Sequence, residues 1–195
     1  RAGEYASKFK LPLRVLSSFQ EGEGTLVQEE KNIMERPIVS GISSIDSEAK
    51  LTIRGVPDIP GVAAKILSPI SEAGIEVDVI VQNIGADNTT DFTFTVNKDD
   101  TKQAEEILKK TSTTLGGGLI DVDDDIAKIS IVGRGMRAHA GVASKMFQAL
   151  AKSEINISMI TTSEIKISVV IKKSEKTKAV AALHDAFDLD KELDE

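Results

Sequence analysis

Two histidines, His139 and His184, and no cysteine leave this chain few side chains able to do chemistry. Lack of cysteine removes disulfides, thiolate zinc sites, iron–sulfur clusters and cysteine nucleophiles together. The two histidines stand far apart, which makes a metal site weak. His184 falls on a helical stretch as a partly exposed residue. His139 sits at a loop-to-helix junction, where backbone amides bind carboxylates and a side chain can line a site. No Ser–His–Asp arrangement accompanies it. The run Asp121-Val122-Asp123-Asp124-Asp125 has the charge of a calcium loop without its glycine or terminal glutamate, and reads as a solvated acidic linker. The phosphate-loop pattern G-x-x-x-x-G-K-[ST] is absent. Gly133-Arg134-Gly135 begins like a dinucleotide fingerprint, but Ala138 stands at the third glycine, so a tight turn is expected there.

What remains is a geometry that occurs twice. Gly61-Val62-Ala63-Ala64-Lys65 and Gly141-Val142-Ala143-Ser144-Lys145 share the pattern G-V-A-x-K. Each follows a strand and a short polar loop, and each opens a helix. A glycine there lets backbone approach a ligand, and a helix N-terminus offers free amides and a partial positive charge. Such a place suits an α-carboxylate. The other reading is that both glycines only relieve crowding between helix and sheet.

The elements positioning these glycines also come in duplicate. Residues 50–82 lie over residues 128–162, starting with Lys50 and Lys128 on alternating strands that end at Gly55 and Gly133. Val62, Ile66, Ile70 and Ala73 form a helical apolar stripe, matched by Val142, Met146, Leu150 and Ser153. Pro60 is placed in the first helical turn, with Asp58 as a possible cap. Second strands are expected from Ile75 and Ile155, third strands at 91–96 and 166–171, and second helices near 100–113 and 174–187. Gly116-Gly117-Gly118 stops the first of those helices, and Leu119–Val122 adds a strand. Each unit reads β-α-β-β-α, the split βαβ plan of a ferredoxin-like α+β fold. The second unit lacks its closing strand, and an orphan strand, 37–42, precedes the first. That strand is expected to complete the second sheet, so that the first domain is inserted into the second. Residues 1–9 read as a short helix, 13–16 as a strand and 22–24 as a turn.

Composition sets the outer bounds. The chain has 195 residues, of which 41% are hydrophobic, enough for a buried core. Its 24 basic and 31 acidic residues give a net charge of −7, with aromatics at 4%. A phosphate-neutralising surface and base-stacking platforms are both disfavoured, so no nucleic-acid partner is expected. No apolar run reaches the roughly 18 residues of a membrane span, and no signal-peptide core opens the chain. A cytoplasmic protein without a membrane partner is the expectation. Strands such as Val79-Ile80-Val81, in domains too small to cover every sheet edge, point to a homodimer.

GVPDIPGVAAKIL, VIVQNI, TTDFTFTV and SEIKISVVI, in that order, closely resemble the regulatory half of aspartate kinase, which is built from two ACT domains. The resemblance runs from Ser40 to about Leu189, and residues 1–27 resemble the end of that enzyme's catalytic domain and linker. It implies two ferredoxin-like βαββαβ domains, over 46–124 and over 36–45 plus 125–190, behind a tail at 1–35. The family's catalytic domain binds ATP and aspartate and has an N-terminal Lys-Gly-Gly phosphate motif absent here, so ATP and Mg would belong to that domain and no cofactor to this chain. Some bacteria make the regulatory half separately as a small β subunit. The chain resembles such a subunit or an excised regulatory fragment, and a start at Arg1 without Met is expected of a fragment or processed product. Its implied partner is a catalytic α subunit or a covalently linked kinase domain.

The resemblance further implies feedback inhibition by lysine, threonine or both, bound where the ACT domains of two chains pair. One site would take Asp58, Gly61, Val62, Ala63 and Gln82, with Asn156, Ile157, Ser163 and Glu164 as its other wall. The second would use His139, Gly141, Val142 and Ala143, facing Glu76, Val77 and Asp78. The carboxylates of Glu76 and Asp78 suit lysine, and the neutral Asn156 wall suits threonine. Pro60 has no partner in the second repeat, where Ala140 stands, so the second loop is expected to be less rigid. Two other readings are a free-standing amino-acid-sensing ACT protein and a small ferredoxin-like enzyme related to acylphosphatase. The enzyme reading would use Arg134 and Arg137, lacks a fitting Asn, and leaves the duplication unexplained.

Overall fold

A computed structural model describes residues 2–27, 39–85, 87–133 and 141–190. The chain divides into two compact units, residues 1–36 and 37–195. The first holds α1 (Ala2–Lys8) and a hairpin of β1 (Leu13–Val15) with β2 (Thr25–Val27). Tyr5, Phe9 and Phe19 on it are exposed.

The second unit contains two four-stranded antiparallel sheets. One is built from β4 (Glu48–Pro57), β5 (Val77–Ile84), β6 (Thr89–Asn97) and β7 (Leu119–Asp123), in the order β5-β6-β4-β7. The other is built from β3 (Val39–Ile45), β8 (Ile126–Gly133), β9 (Met159–Thr162) and β10 (Lys166–Lys172), in the order β3-β8-β10-β9. The orphan strand therefore closes the second sheet, with Ile42 opposite Ile131 and Ile45 opposite Lys128. Both sheets have the ferredoxin-like order, and the chain enters and leaves the first domain from strands of the second.

Alternation along the strands decides where each core lies. Leu51, Ile53, Phe92, Phe94 and Val96 point to one face of the first sheet. They meet Val62, Ile66 and Ile70 of α2 (Val62–Glu72) and Ala104 and Leu108 of α3 (Thr101–Thr114). In the second domain Ile129, Ile131, Ile167, Val169 and Ile171 meet Met146 and Leu150 of α4 (Val142–Lys152). Ala179 and Leu183 of α5 (Lys176–Ala186) complete that core. The opposite sheet faces carry polar pairs: Thr52 Oγ1 and Thr93 Oγ1 lie 3.0 Å apart on the first, and Ser130 Oγ and Ser168 Oγ lie 2.8 Å apart on the second.

Several local expectations are corrected. Ile75 and Ile155 precede their strands and are buried below them, with β5 starting at Val77 and β9 at Met159. Gly74 and Glu154, both at positive φ, turn the chain out of α2 and α4 so that each isoleucine drops into its core. Strand β4 does not end at Gly55 but continues to Pro57 through a bulge. Ala73 is exposed and so ends the stripe at Ile70. The acidic run is no free linker, because Asp121 and Asp123 lie on β7 and pair with Arg54 and Lys50 of β4. No helix among the described residues is long and apolar enough to cross a membrane.

Candidate functional site

The two G-V-A-x-K glycines are the N-caps of α2 and α4. Gly61 has φ 89° and ψ 0°, and Gly141 has φ 101° and ψ −17°; neither helix has a side-chain cap. This left-handed conformation is one that L side chains adopt only with strain, so the backbone itself requires glycine. Among the described residues, a Cβ built on either glycine would meet nothing within 4 Å. Relief of crowding against those residues is thus not their role. Asp58 does not cap α2; it is exposed, and its amide donates to the Asn88 carbonyl at 3.0 Å. Pro60 lies one residue before the cap rather than in the first turn. The Val62 amide is used by Ile59 O at 3.1 Å and the Lys65 amide by Gly61 O at 3.0 Å. Between them the amides of Ala63 and Ala64 point out of the helix start with no helical carbonyl ahead of them.

Strand directions decide which candidates share an end of each sheet. β4 and β5 both run antiparallel to β6 and so are parallel to each other. Their C-terminal ends coincide, which brings the Asp58–Ala63 loop to the same end as exposed Gln82. Glu76, Val77 and Asp78 lie at the other end. In the second domain β8 and β9 are likewise parallel, and Gly133 N donates to Ile165 O at 2.9 Å. Gly141, Val142 and Ala143 therefore share an end with Ser163 and Glu164, while Asn156 and Ile157 lie at the far end of β9. Seven residue steps of largely extended chain separate Asn156 from Ser163, about 20 Å. One amino acid cannot touch both, so the expected four-residue wall splits into two groups. The Ser163 hydroxyl is also occupied, accepting from the Lys166 amide at 3.1 Å. His139 lies outside the described residues, as do Arg134, Arg137 and Ala140.

Asp78 has a partner that sequence reasoning missed. Lys128 of β8 donates from Nζ to Asp78 Oδ2 and to Glu48 Oε1, at the start of β4. Its side chain is 5% exposed. Glu48 Oε2 is buried without a hydrogen-bond partner among the described residues. Burial disfavours the charge on Lys128, but hydrogen bonds to Asp78 and Glu48 outweigh it and hold its pKa above the usual 10.5. Burial likewise works to raise Asp78, yet its hydrogen bond to Lys128 and the attraction of that charge leave it below 3.8. These residues line a cleft of about 890 Å³ between the two domains, with Glu76, Thr95 and Lys166. Lys50 and Lys128 head the two repeats, and a lysine set among isoleucines was the signal available in the sequence.

The molecule's relatives agree with this duplication. Residues 51–112 and 129–187 each match the ACT domain family. The chain is 62% identical over 192 residues to the aspartokinase of Pseudomonas aeruginosa, covering 97% of this chain and 47% of that one. It spans about half the length of the curated aspartokinases it matches. The regulatory subunit of aspartate kinase from Thermus thermophilus, ligand free, superposes with a TM-score of 0.74 at 40% identity, over 77% of this chain and 99% of that one. A solved structure of aspartokinase alpha and beta subunits contains a chain matched at 50% identity and TM-score 0.73, with the same coverage. The chain belongs to the aspartate kinase family, of which it carries the regulatory, tandem-ACT portion.

Proposed function

We propose that this chain senses lysine, threonine or both where the ACT domains of two copies pair, and conveys feedback inhibition to a kinase domain that phosphorylates aspartate. The kinase domain would be a separate α subunit or part of the same polypeptide. The observation carrying this reading is the pair of left-handed glycine caps, each opening a helix whose start has no side-chain cap. Amides there hold an α-carboxylate, and side-chain oxygens receive the α-ammonium. One site joins Asp58, Gly61, Val62, Ala63 and Gln82 to Asn156 and Ile157 of the second copy. The other joins Gly141, Val142, Ala143, Ser163 and Glu164 to Glu76 and Val77 of the second copy. Since Lys128 already holds Asp78, exposed Glu76 is the carboxylate best able to select lysine at that second site.

Calorimetric titration of the chain with lysine and threonine tests this. Binding of at least one is expected, with no turnover of ATP and aspartate by the chain alone. Gln82→Ala leaves a polar ligand group without its partner, at about 1–3 kcal/mol, or roughly 5- to 150-fold in affinity. Its unfolding midpoint should stay at the wild-type value, because Gln82 is exposed near a strand end. Absence of binding by both amino acids would reject the reading.

A further inference from the structure

We infer that Lys128 is the coupling residue between the two ACT domains: an internal cation of the second domain that fixes β5 of the first, so that ligand sites on both domains respond together. Regarding ligands, this rests on the function proposed above; regarding structure, it rests on the cleft alone. Lys128 sits on β8 between Ile45 and Val170 in register, on the face turned away from the helices of its own domain. Both carboxylates it binds, Glu48 and Asp78, come from the other domain. Asp78 falls where the β5–β6 register shifts, between Val77 and Ile80. The ladder is interrupted there, and the Val79 amide turns to Thr95 Oγ1 at 3.2 Å. A bulge of this kind re-aims a side chain at the expense of pairing, and here the re-aimed residue is the one that reaches Lys128. β5 is an edge strand, held by the ladder on one side alone. Its N-terminal end therefore depends on the ion pair as well as on β6.

The same strand carries candidates for both ligand sites. Glu76 and Val77 stand at its start, beside the bulge, and Gln82 near its end. A small shift of β5 changes both walls at once, and Lys128 ties that shift to β8, which leads toward Gly141. Coupling of this type is a free energy shared by two sites through one element with more than one position. The pseudo-equivalent Lys50 cannot serve, because it pairs with Asp123 inside its own sheet at 3.2 Å.

The test uses the whole chain and three variants: Lys128→Met, Lys128→Arg, and Lys128→Met combined with Glu48→Gln. The combined variant removes the buried unpaired carboxylate and keeps the test alive should Lys128→Met fail to fold. Hydrogen exchange of the Asp78, Val79 and Ile80 amides should accelerate at least tenfold in both Met variants, with the central pair β4–β6 unchanged and with Lys128→Arg largely restored. Uniform acceleration across the first domain, or none, overturns the inference. In the ligand arm, lysine is titrated with and without saturating threonine. The factor by which one changes the other's affinity should fall toward one in the Met variants, while threonine alone binds within about twofold of wild type. A preserved factor overturns the coupling role. If neither amino acid binds the unaltered chain, the proposed function falls, and the exchange of β5 alone decides the role of Lys128.

Discussion

The two ACT domains share their order of elements, yet their polar sheet faces are used differently. Lys50 and Lys128 occupy equivalent strand positions. Lys50 is 20% exposed and pairs inside its own sheet, whereas Lys128 is 5% exposed and binds two carboxylates of the other domain. β5 runs eight residues with a bulge, and β9 only four without one. Duplication supplied one scaffold twice, and the differences lie where each copy meets its neighbour. In the first domain the lysine reinforces a sheet; in the second it joins the domains.

The largest expected effect breaks this asymmetry directly. Lys128→Met leaves Glu48 buried without its cation, and loss of one partner of a buried pair costs about 3–5 kcal/mol. Lys50→Met should cost at most about 1 kcal/mol, because solvent reaches that pair. Urea unfolding of both variants checks the contrast, and equal losses would show that the repeats use their lysines alike.

The glycine caps should behave symmetrically. Gly61→Ala and Gly141→Ala each force a side chain into left-handed backbone, at about 1–2 kcal/mol. No described residue lies within 4 Å of a Cβ at either position, so no clash with them is added. Thermal unfolding with and without amino acid separates the two effects, since each variant should lose stability and ligand protection together. Full ligand protection in either variant would show that its helix start is not a binding surface.

Acid titration sharpens the comparison at the small end. Asp78 is held below its ordinary pKa when folded, so its contribution is present above about pH 4 and is lost as the pH falls through the folded value. Lys128 is raised, so its contribution is complete below about pH 10.5 and lost only above it. Stability measured against pH should carry an acid limb that Lys128→Met flattens and Lys50→Met keeps. An unchanged acid limb in Lys128→Met would deny the pair its role.

Much of this fold was legible in sequence, because it rests on short-range pattern. The alternation of Phe92, Phe94 and Val96 and the stripe of Val62, Ile66 and Ile70 fixed which faces were buried. The missing last strand of the second repeat pointed to the strand before the first. Strand starts were less legible: Ile75 and Ile155 are apolar like strand residues, but each fills its core from the loop ahead. The crowding reading of Gly61 failed because a sequence shows that a glycine is present, not whether φ or space demands it. The candidate walls were legible as residue types but not as places. Only strand direction reveals that Asn156 and Ser163 lie at opposite ends of β9. Lys128 was missed because its partners lie far away in sequence and meet it only when the domains pack.

The insertion of one domain in the other has a consequence for how the chain reaches this state. β3 emerges early and must wait for β8, with the whole first domain between them. Closing so long a loop of disordered chain is entropically costly and slow. Once the first domain has folded, however, its two ends lie on adjacent strands, with Lys50 opposite Asp123. The folded domain then behaves as a clasp already shut: β3 and β8 are delivered side by side, and the effective loop shrinks to the few residues that join them to β4 and β7. The first domain is in this sense the template on which the second is assembled, and protection of β4 and β6 should precede that of β3 and β8 in pulsed hydrogen exchange during refolding.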